Sequence, residues 1–490
     1  MCVLKIPHVS DNLHVFSSTN TELGRTVQPT PQGTIRTLPG DVLLEIFKFY
    51  VDQNYDEDEW HTLVHVCQKW RYVVFAFPRR LRLELRCTNR SPVKKMLDVW
   101  PALPIVINAV ITNSWRSGVT NVLAALKRHD LVCRIKFWGV PNWLLKSAVM
   151  KKPFPELTDL TLRSNEENAP IIPDLFLGGS APRLQSLEFR GIPFLFPALG
   201  NLLLSATNLS TFRLLNVPIS GYISPELIVT ALSALTRLQE LFIDFRSPRS
   251  RADRERRNLT LFKRLVLPSL TEFSFKGDSE YLEDIVGRMD APALSRVSIT
   301  FFNQLVFDTP LLRDFFRCKA VFQEPHRADV SFTRSSIEFT LSRGEGVSDR
   351  RMLEVGISSS VPEWQLSSMA QFFGTSLPPL PTLERLSIHA DDKIPYFPSD
   401  MENSQWFELL HPFVTVKDLY ISIWVAGRFA TALQELTETT ATEVLPALRR
   451  VFVDVPSFSA TIWDAFAHFI TARQHSGHPV TVHAMEAGRS

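Results

Sequence analysis

The sequence predicts a mixed α/β protein in which a small all-helical segment precedes an irregular array of strand and helix repeats built on a curved parallel sheet. Three observations predict this class. Apolar residues recur at helical spacing over residues 38–77. A short apolar pattern of strand type recurs along the rest of the chain, and helical stretches lie between its copies. The chain of 490 residues is 45% hydrophobic, so both parts have the apolar surface needed to fold.

The helical segment begins after residues 1–34, whose polar composition predicts a disordered tail. The stretch LPGDVLLEIFKFYV then predicts an amphipathic helix, since Pro39 suits its first turn and Asp41 complements the positive end of its dipole. One face of this helix should carry Val42, Leu43, Ile46, Phe47 and Tyr50.

Two more short helices are predicted after an acidic connector, Asp52 to Glu59. Their apolar positions run from Trp60 through Trp70 to Phe77, before Pro78. Three short helices within residues 35–80 bury little surface by themselves, so we interpret this segment as an interaction module.

The segments LPGDVLLEIF, HTLVHVCQKWRYVV and FPRRLRLEL together resemble the F-box motif, in the Leu-Pro start and the Val-Cys-x-x-Trp-Arg centre. FPRRLRLEL followed by LDVWPALPIVI is similar to F-box proteins of mushroom-forming fungi. The acidic connector is longer than in the most compact F-boxes. The resemblance implies binding to a Skp-family adaptor, and through it to a cullin carrying a RING subunit. The adaptor-binding positions that it implies are Leu38, Pro39, Val42, Leu43, Ile46, Phe47, Leu63, Val66, Cys67, Trp70 and Arg71.

The rest of the chain, residues 81–483, carries a recurring pattern with apolar residues at i, i+3 and i+5, followed by a short tail, residues 484–490. The step of three and then two is typical of a chain entering a short strand, and it forms the L-x-x-L-x-L core of a leucine-rich repeat. The copies begin at Leu157, Leu184, Leu209, Leu238, Leu270, Leu294, Leu383, Val416 and Leu448.

Three features complete the predicted array. LRLEL (81–85) and LPIVI (103–107) should supply the first strands, and residues 119–129, 225–235 and 462–473 should form helices between strands. The gap from Leu294 to Leu383 should hold degenerate repeats such as DVSFTRSSIEFTL. Side chains between the repeated apolar positions are the ones that can face a target.

The charge and cysteine content restrict the partners and the compartment. With 53 basic and 51 acidic residues, the chain has a formal net charge of +2, which indicates neither a nucleic-acid nor a membrane partner. No stretch approaches the ~18 apolar residues of a membrane span, and the N-terminus lacks a signal-peptide core. The five cysteines are far apart in the sequence, which indicates reduced thiols and therefore a protein of the cytoplasm, the nucleus or both compartments. These cysteines are Cys2, Cys67, Cys87, Cys133 and Cys318.

The sequence contains only weak signals for a catalytic or metal-binding site. His61 and His65 share a helical face but lack the other residues of a zinc motif, and His475 and His478 lie near a predicted loop. Cys67 has an apolar neighbourhood, which favours a buried residue over a nucleophile. There is no phosphate-binding loop and no Gly-x-Ser-x-Gly elbow. We therefore expect no enzymatic activity, no metal and no cofactor.

A basic segment, residues 246–258, is open to three interpretations: a solvated loop between repeats, a contact for an acidic or phosphorylated target, or a nuclear-import signal. Its arginines are Arg246, Arg249, Arg251, Arg254, Arg256 and Arg257.

Taken with the F-box resemblance, these patterns favour a non-catalytic substrate-recognition subunit of a cullin-RING ubiquitin ligase, in which the helical module binds the adaptor and the repeats bind a target protein. The alternative is a repeat-based interaction scaffold without ligase function. A hydrolase or nucleic-acid-binding protein within the divergent repeats is the third hypothesis.

Overall fold

The computed structural model describes most of the chain between residues 38 and 485. The chain divides into two compact units, residues 1–83 and residues 84–490. The predicted tail 1–34 and residues 54–59 of the acidic connector lie outside the described residues. The described ranges are 38–53, 60–78, 80–81, 83–90, 93–99, 103–111, 116–164, 171–193, 196–248, 264–304, 306–319, 322, 324–343, 351–359, 362–390, 403–435, 442–454 and 460–485.

The described part of the first unit contains three helices, Gly40–Gln53 (α1), Trp60–Val66 (α2) and Gln68–Ala76 (α3). α1 begins directly after Pro39, whose carbonyl accepts the amide of Leu43 at 3.1 Å. Its last turn includes Asp52, so the acidic connector begins later than the sequence predicted. Cys67 has an extended backbone between α2 and α3, which separates the two helices.

A small apolar core joins these helices. Phe47 of α1 is fully buried and its ring lies 4.7 Å from that of Trp70 on α3. Trp60 of α2 meets the ring of Phe75 edge to face at 6.3 Å. The Nε of Arg71 also donates to the carbonyl of Val64 at 3.0 Å. The other buried side chains are Leu43, Leu44, Leu63, Val64, Val73 and Val74.

The second unit is built on a large, mostly parallel sheet that contains sixteen strands in the described residues, and two short strands, Leu265–Val266 (β8) and Met289–Asp290 (β10), form a separate parallel pair. The order in the large sheet is β1 to β7, β9, β11, β14, β13, β12 and then β15 to β18. The strands are Leu85–Cys87 (β1), Ile105–Val110 (β2), Val132–Trp138 (β3), Asp159–Arg163 (β4), Ser186–Arg190 (β5), Thr211–Val217 (β6), Glu240–Phe245 (β7), Leu265–Val266 (β8), Glu272–Gly277 (β9), Met289–Asp290 (β10), Arg296–Phe301 (β11), Arg327–Phe332 (β12), Ser336–Ser342 (β13), Arg351–Ser358 (β14), Arg385–Ala390 (β15), Asp418–Ser422 (β16), Arg450–Asp454 (β17) and Thr481–Met485 (β18).

The repeated apolar positions of neighbouring strands stand in register, as the i, i+3, i+5 spacing predicted. Two buried columns cross the strands from β4 to β11. Because each position of the pattern meets the same position of the next copy, the copies share one continuous core, which is consistent with a leucine-rich-repeat-like solenoid. The first column contains Leu160, Leu187, Phe212, Leu241, Phe273 and Val297, and the second contains Leu162, Phe189, Leu214, Ile243, Phe275 and Ile299.

A ladder of hydrogen bonds runs just before the strands. The amide of Ser210 donates to the carbonyl of Gln185 at 2.9 Å, and the Ser210 hydroxyl donates to the same oxygen at 3.0 Å. The amide and the hydroxyl of Thr271 likewise both donate to the carbonyl of Gln239, and those of Ser295 both donate to the carbonyl of Thr271. A hydroxyl after the first apolar position therefore satisfies a carbonyl of the preceding repeat.

Helices between the strands cover the buried columns. Tyr281 of the helix Ser279–Val286, for example, stacks on Phe275 at 5.8 Å, and Phe245 meets the Tyr281 ring edge to face at 4.9 Å. The helices are Val93–Val99 (α4), Arg116–Leu126 (α5), Asn142–Leu145 (α6), Phe196–Ser205 (α7), Pro225–Leu232 (α8), Ser279–Val286 (α9), Pro310–Arg317 (α10), Pro362–Ser376 (α11), Asn403–Leu410 (α12), Ile423–Gln434 (α13) and Ala460–His475 (α14).

The prediction of degenerate repeats between Leu294 and Leu383 is wrong. β12, β13 and β14 form an antiparallel meander, in which β13 runs against both of its neighbours while β14 pairs in parallel with β11 and β12 with β15. Buried Gln365 of α11 fixes the turn before β13, because its Nε2 donates to the carbonyls of Thr333 and Ser359 at 3.1 and 2.7 Å. The sheet is therefore mostly, not entirely, parallel.

Both ends of the array also differ from the prediction. Only Leu85 of LRLEL lies in a strand, since β1 is Leu85–Cys87, whereas Leu81 and Leu83 are buried residues outside it. At the other end β18 continues to Met485, beyond the predicted limit of the array at residue 483.

Candidate functional site

The adaptor-binding positions implied by the F-box resemblance separate into two groups. Leu43, Phe47 and Leu63 are buried in the core of the first unit, so the single apolar face predicted for α1 is in fact two faces. Val42, Ile46 and, on α2, Val66 are exposed. Among the remaining positions, Pro39 and Arg71 are exposed and Leu38, Cys67 and Trp70 are half-buried.

The second face of α1 is an exposed apolar stripe formed by Val42, Ile46 and Phe49, which are 44, 46 and 65% exposed. Their spacing of i, i+4 and i+7 places all three on one side of the helix. The sequence interpretation did not include Phe49. A helix that is apolar on two faces buries one face within its own unit and leaves the other available to a partner.

The second candidate surface is the open face of the sheet, which carries the strand side chains that alternate with the buried columns. Its charge changes along the sheet. The basic residues on β1 to β6 are Arg86, Arg134, Lys136, Arg163, Arg190 and Arg213, against Glu84, Asp159 and Glu188 on or beside these strands. On β7, β9, β11, β14 and β13 the acidic residues Glu240, Asp244, Glu272, Glu354 and Glu338 instead outnumber Lys276, Arg296 and Arg351.

The basic half centres on two arginines of adjacent strands. Arg163 and Arg190 are direct partners in the register of β4 and β5. The Nε of Arg163 donates to Oε1 of Glu188 at 2.8 Å, and the Nε of Arg190 lies 3.9 Å from the same oxygen. The Glu188 side chain is only 9% exposed, so one largely buried carboxylate is shared by two guanidinium groups. Trp138 lies beside them on β3, its ring centroid 5.9 Å from the Arg163 guanidinium carbon.

At the far end of the open face, aromatic rings stack across the last strands. Tyr420 and Phe452 are stacked at 4.6 Å with an angle of 12° between their planes, and His483 continues the stack at 5.3 Å. Arg385 and Arg450 place guanidinium groups 5.4 and 5.7 Å from the Tyr420 and Phe452 centroids. Arg450 also forms two hydrogen bonds with the Asp418 carboxylate, at 2.7 Å each.

The basic segment 246–258, for which a target contact was one of three interpretations, lies almost wholly outside the described residues. Arg246, the first of the six, is exposed, and its amide donates to the carbonyl of Val217 at 2.8 Å. Arg249, Arg251, Arg254, Arg256 and Arg257 fall within residues 249–263, which are not described.

The described cysteines are free thiols. Burial raises the pKa of Cys87 to about 12 and that of Cys133 to about 11. Cys67 is half-buried rather than buried as expected, and Cys318 at the end of α10 is exposed.

Alkylation should therefore distinguish these thiols. We expect iodoacetamide at pH 8 to modify Cys318 in the folded protein and to leave Cys87 unmodified until denaturant is added, because only the exposed thiol is accessible and the buried one stays protonated. Peptide mass mapping with and without denaturant measures this. Rapid native labelling of Cys87 would contradict its burial within β1.

Within the described ranges, no group of three or more His, Cys, Asp or Glu side chains could hold a metal ion. The ring of His61 lies 4.1 Å from that of Trp60, and His478 follows Gly477 in the turn after α14. A membrane-crossing helix of sufficient length and apolar character is likewise absent from the part of the chain that the structure describes.

Comparison with known proteins gives one weak structural similarity to report and no family. No family model matches the chain, and no curated protein matches it. Among solved structures, the chain is similar to the leucine-rich repeat-containing protein LegL7 from Legionella pneumophila, with 13% identity over 66% of this chain and 91% of that chain and a TM-score of 0.27. Because this identity and this TM-score are low, the repeat architecture is established by the strand register described above and not by the similarity to LegL7.

Proposed function

We propose that this chain is the substrate-recognition subunit of a cullin-RING ubiquitin ligase. In this proposal the first unit binds a Skp-family adaptor, which joins it to the cullin, and the open face of the second unit binds the target protein. Catalysis would belong to the conjugating enzyme, and this chain would contribute proximity, since tethering raises the effective concentration of the target near the reacting thioester.

The observation that carries the proposal is the exposed apolar stripe of Val42, Ile46 and Phe49 on α1. Full burial of a large apolar side chain stabilises a protein by about 1.5–3 kcal/mol, and these three side chains lose much of that stabilisation because they are exposed to water. Such a stripe on a small helical unit marks a protein contact. Val42 and Ile46 are also positions that the F-box resemblance implies for adaptor binding.

The test is direct binding of the purified full-length chain to a Skp-family adaptor, alone and with the cullin. We expect a stable complex on gel filtration with one adaptor per chain, and recruitment of the cullin only when the adaptor is present. Absence of an adaptor complex, with the chain folded and monomeric, would reject the proposal.

The alternative function is an interaction scaffold without ligase activity. The charge division of the open face favours a protein-binding role for the second unit in either case, because this feature does not depend on the helical unit. Adaptor binding therefore separates the two functions, and target binding by itself does not.

A further inference from the structure

We infer that the open face at β3 to β5 recognises an acidic segment of a protein partner, with Arg163 and Arg190 contacting a carboxylate of that segment. The inference deepens the proposed function by giving the target a chemical class. It also stands separately from it, because an interaction scaffold could use the same surface.

The guanidinium groups of Arg163 and Arg190 keep hydrogen-bond donors that Glu188 does not use. Both approach the Glu188 carboxylate through Nε, and their terminal nitrogens form no hydrogen bond with another described residue. Two arginines in direct register on neighbouring strands repel each other, and the single carboxylate between them neutralises only one of the two charges. Planar guanidinium groups with free terminal nitrogens are suited to bind an incoming carboxylate in a bidentate manner.

The surroundings favour a peptide over a free anion. Trp138 lies beside Arg163, and Val110, which is 53% exposed, is the register partner of Trp138 on β2. Leu215 is the register partner of Arg190 on the other side. Because neighbouring strands are ~4.8 Å apart, this row of five side chains extends ~19 Å, the length of about six extended residues. An acidic segment with flanking apolar side chains would match its basic centre and apolar ends.

The charge distribution places the acidic segment on this half of the open face. Lys136 of β3 also lies on this part of the face, so three basic side chains stand against the one carboxylate of Glu188. Two neighbouring charges are already paired, Arg213 with Glu240 at 2.7 Å and Asp244, which also interacts with Arg190, with Lys276 at 3.6 Å. The strands from β7 to β13 carry more acidic than basic side chains on the same face, which would repel such a segment.

The binding test uses the full chain and a fluorescent peptide of about twelve residues that alternates Glu and Ser in its centre and carries one Leu towards each end, read by anisotropy. Replacing both arginines (Arg163→Gln with Arg190→Gln) should weaken binding about tenfold or more. Glu188→Gln should strengthen it about three- to tenfold, because the isosteric amide releases both guanidinium groups from their shared carboxylate. A matched control, Arg296→Gln with Arg450→Gln, removes two paired open-face arginines elsewhere and should change the affinity less than twofold.

The Glu188→Gln variant makes the test decisive, since a merely structural role for the cluster could not produce tighter binding. Unchanged or weaker binding by a folded Glu188→Gln chain would overturn the inference. Binding of a phosphoserine version of the peptide without binding of the Glu version would also overturn it in favour of phosphate recognition, and selective binding of an RNA oligonucleotide would overturn it in favour of nucleic acid. Adaptor binding by the same variants should be unchanged, so failure here leaves the proposed ligase function standing.

Discussion

The Val42→Glu, Ile46→Glu double variant should lose adaptor binding by about 100-fold or more while the chain stays folded. Both side chains are nearly half exposed, so the substitutions do not open the core of the first unit. In the complex, however, each would place an unpaired carboxylate in a desolvated apolar contact. Interface anchors of this kind contribute about 2 kcal/mol or more each, and every 1.4 kcal/mol is a factor of ten in affinity. Calorimetric titration with a Skp-family adaptor measures the loss.

Two further variants make this prediction specific. Ile219→Glu with Val414→Glu introduces the same charges at exposed apolar positions of the second unit and should leave adaptor affinity unchanged. Phe47→Ala should act differently, since Phe47 is fully buried against Trp70 and its loss should destabilise the first unit by about 3–5 kcal/mol. If the Val42 and Ile46 double variant bound the adaptor with wild-type affinity, α1 would not be the docking helix.

The strand positions could be predicted from the sequence because one local pattern repeats. Leu160 and Leu187, for example, occupy equivalent places in their copies and prove to be register partners. The i, i+3, i+5 spacing of apolar residues is a local property that the sequence shows directly. When copies of the same pattern stack, the register that buries all of their apolar positions pairs each position with its equivalent in the next copy. The hydroxyls of Ser210 and Thr271 also recur, at the position after the first apolar residue, although their hydrogen bonds to the preceding repeat could be recognised only in the structure.

The meander was not predicted because alternation of period two fits a strand running in either direction. The sequence did contain a signal, since only residues 333–335 separate β12 from β13. A parallel connection needs a crossover of a dozen or more residues, so a turn this short requires antiparallel strands. Reading DVSFTRSSIEFTL as two strands joined by the polar turn TRS would have identified the hairpin.

The candidate site was less predictable than the fold. Helical periodicity could not assign Val42 and Phe47 to different faces of α1, because the apolar positions of that helix cover more than half of its circumference. Arg163 is separated in the sequence from Glu188 and Arg190, and the three form a cluster only because β4 and β5 align them. The arginines from Arg246 to Arg257 are close together in the sequence and were therefore a predicted cluster, whereas Arg163 and Arg190 come together only across neighbouring strands.

A chain that ends at residue 302 should aggregate, because β11 would become an edge strand with its core uncovered. β11 pairs with β14 along its length, from Val297 with Leu353 to Phe301 with Ile357, and those partners would be lost. Phe301 would also lose Phe307 and Phe372, whose rings lie 5.3 and 5.9 Å away. An unpaired apolar edge is a template for association with other chains. Light scattering coupled to gel filtration measures the state of the fragment.

A rescue variant separates edge pairing from general misfolding. Ser298→Lys with Thr300→Lys places two charges on the open face of β11, where they do not disturb the buried column, and should restore part of the monomer by opposing edge-to-edge pairing. A chain ending at Met485, which keeps every described strand, should remain monomeric with the stability of the full chain. Stability in a stacked array is shared between neighbouring repeats, so the fragment should also unfold at a markedly lower temperature. A monomeric 1–302 fragment with cooperative unfolding at the full-length Tm would instead show that the array consists of two independent domains joined near the meander.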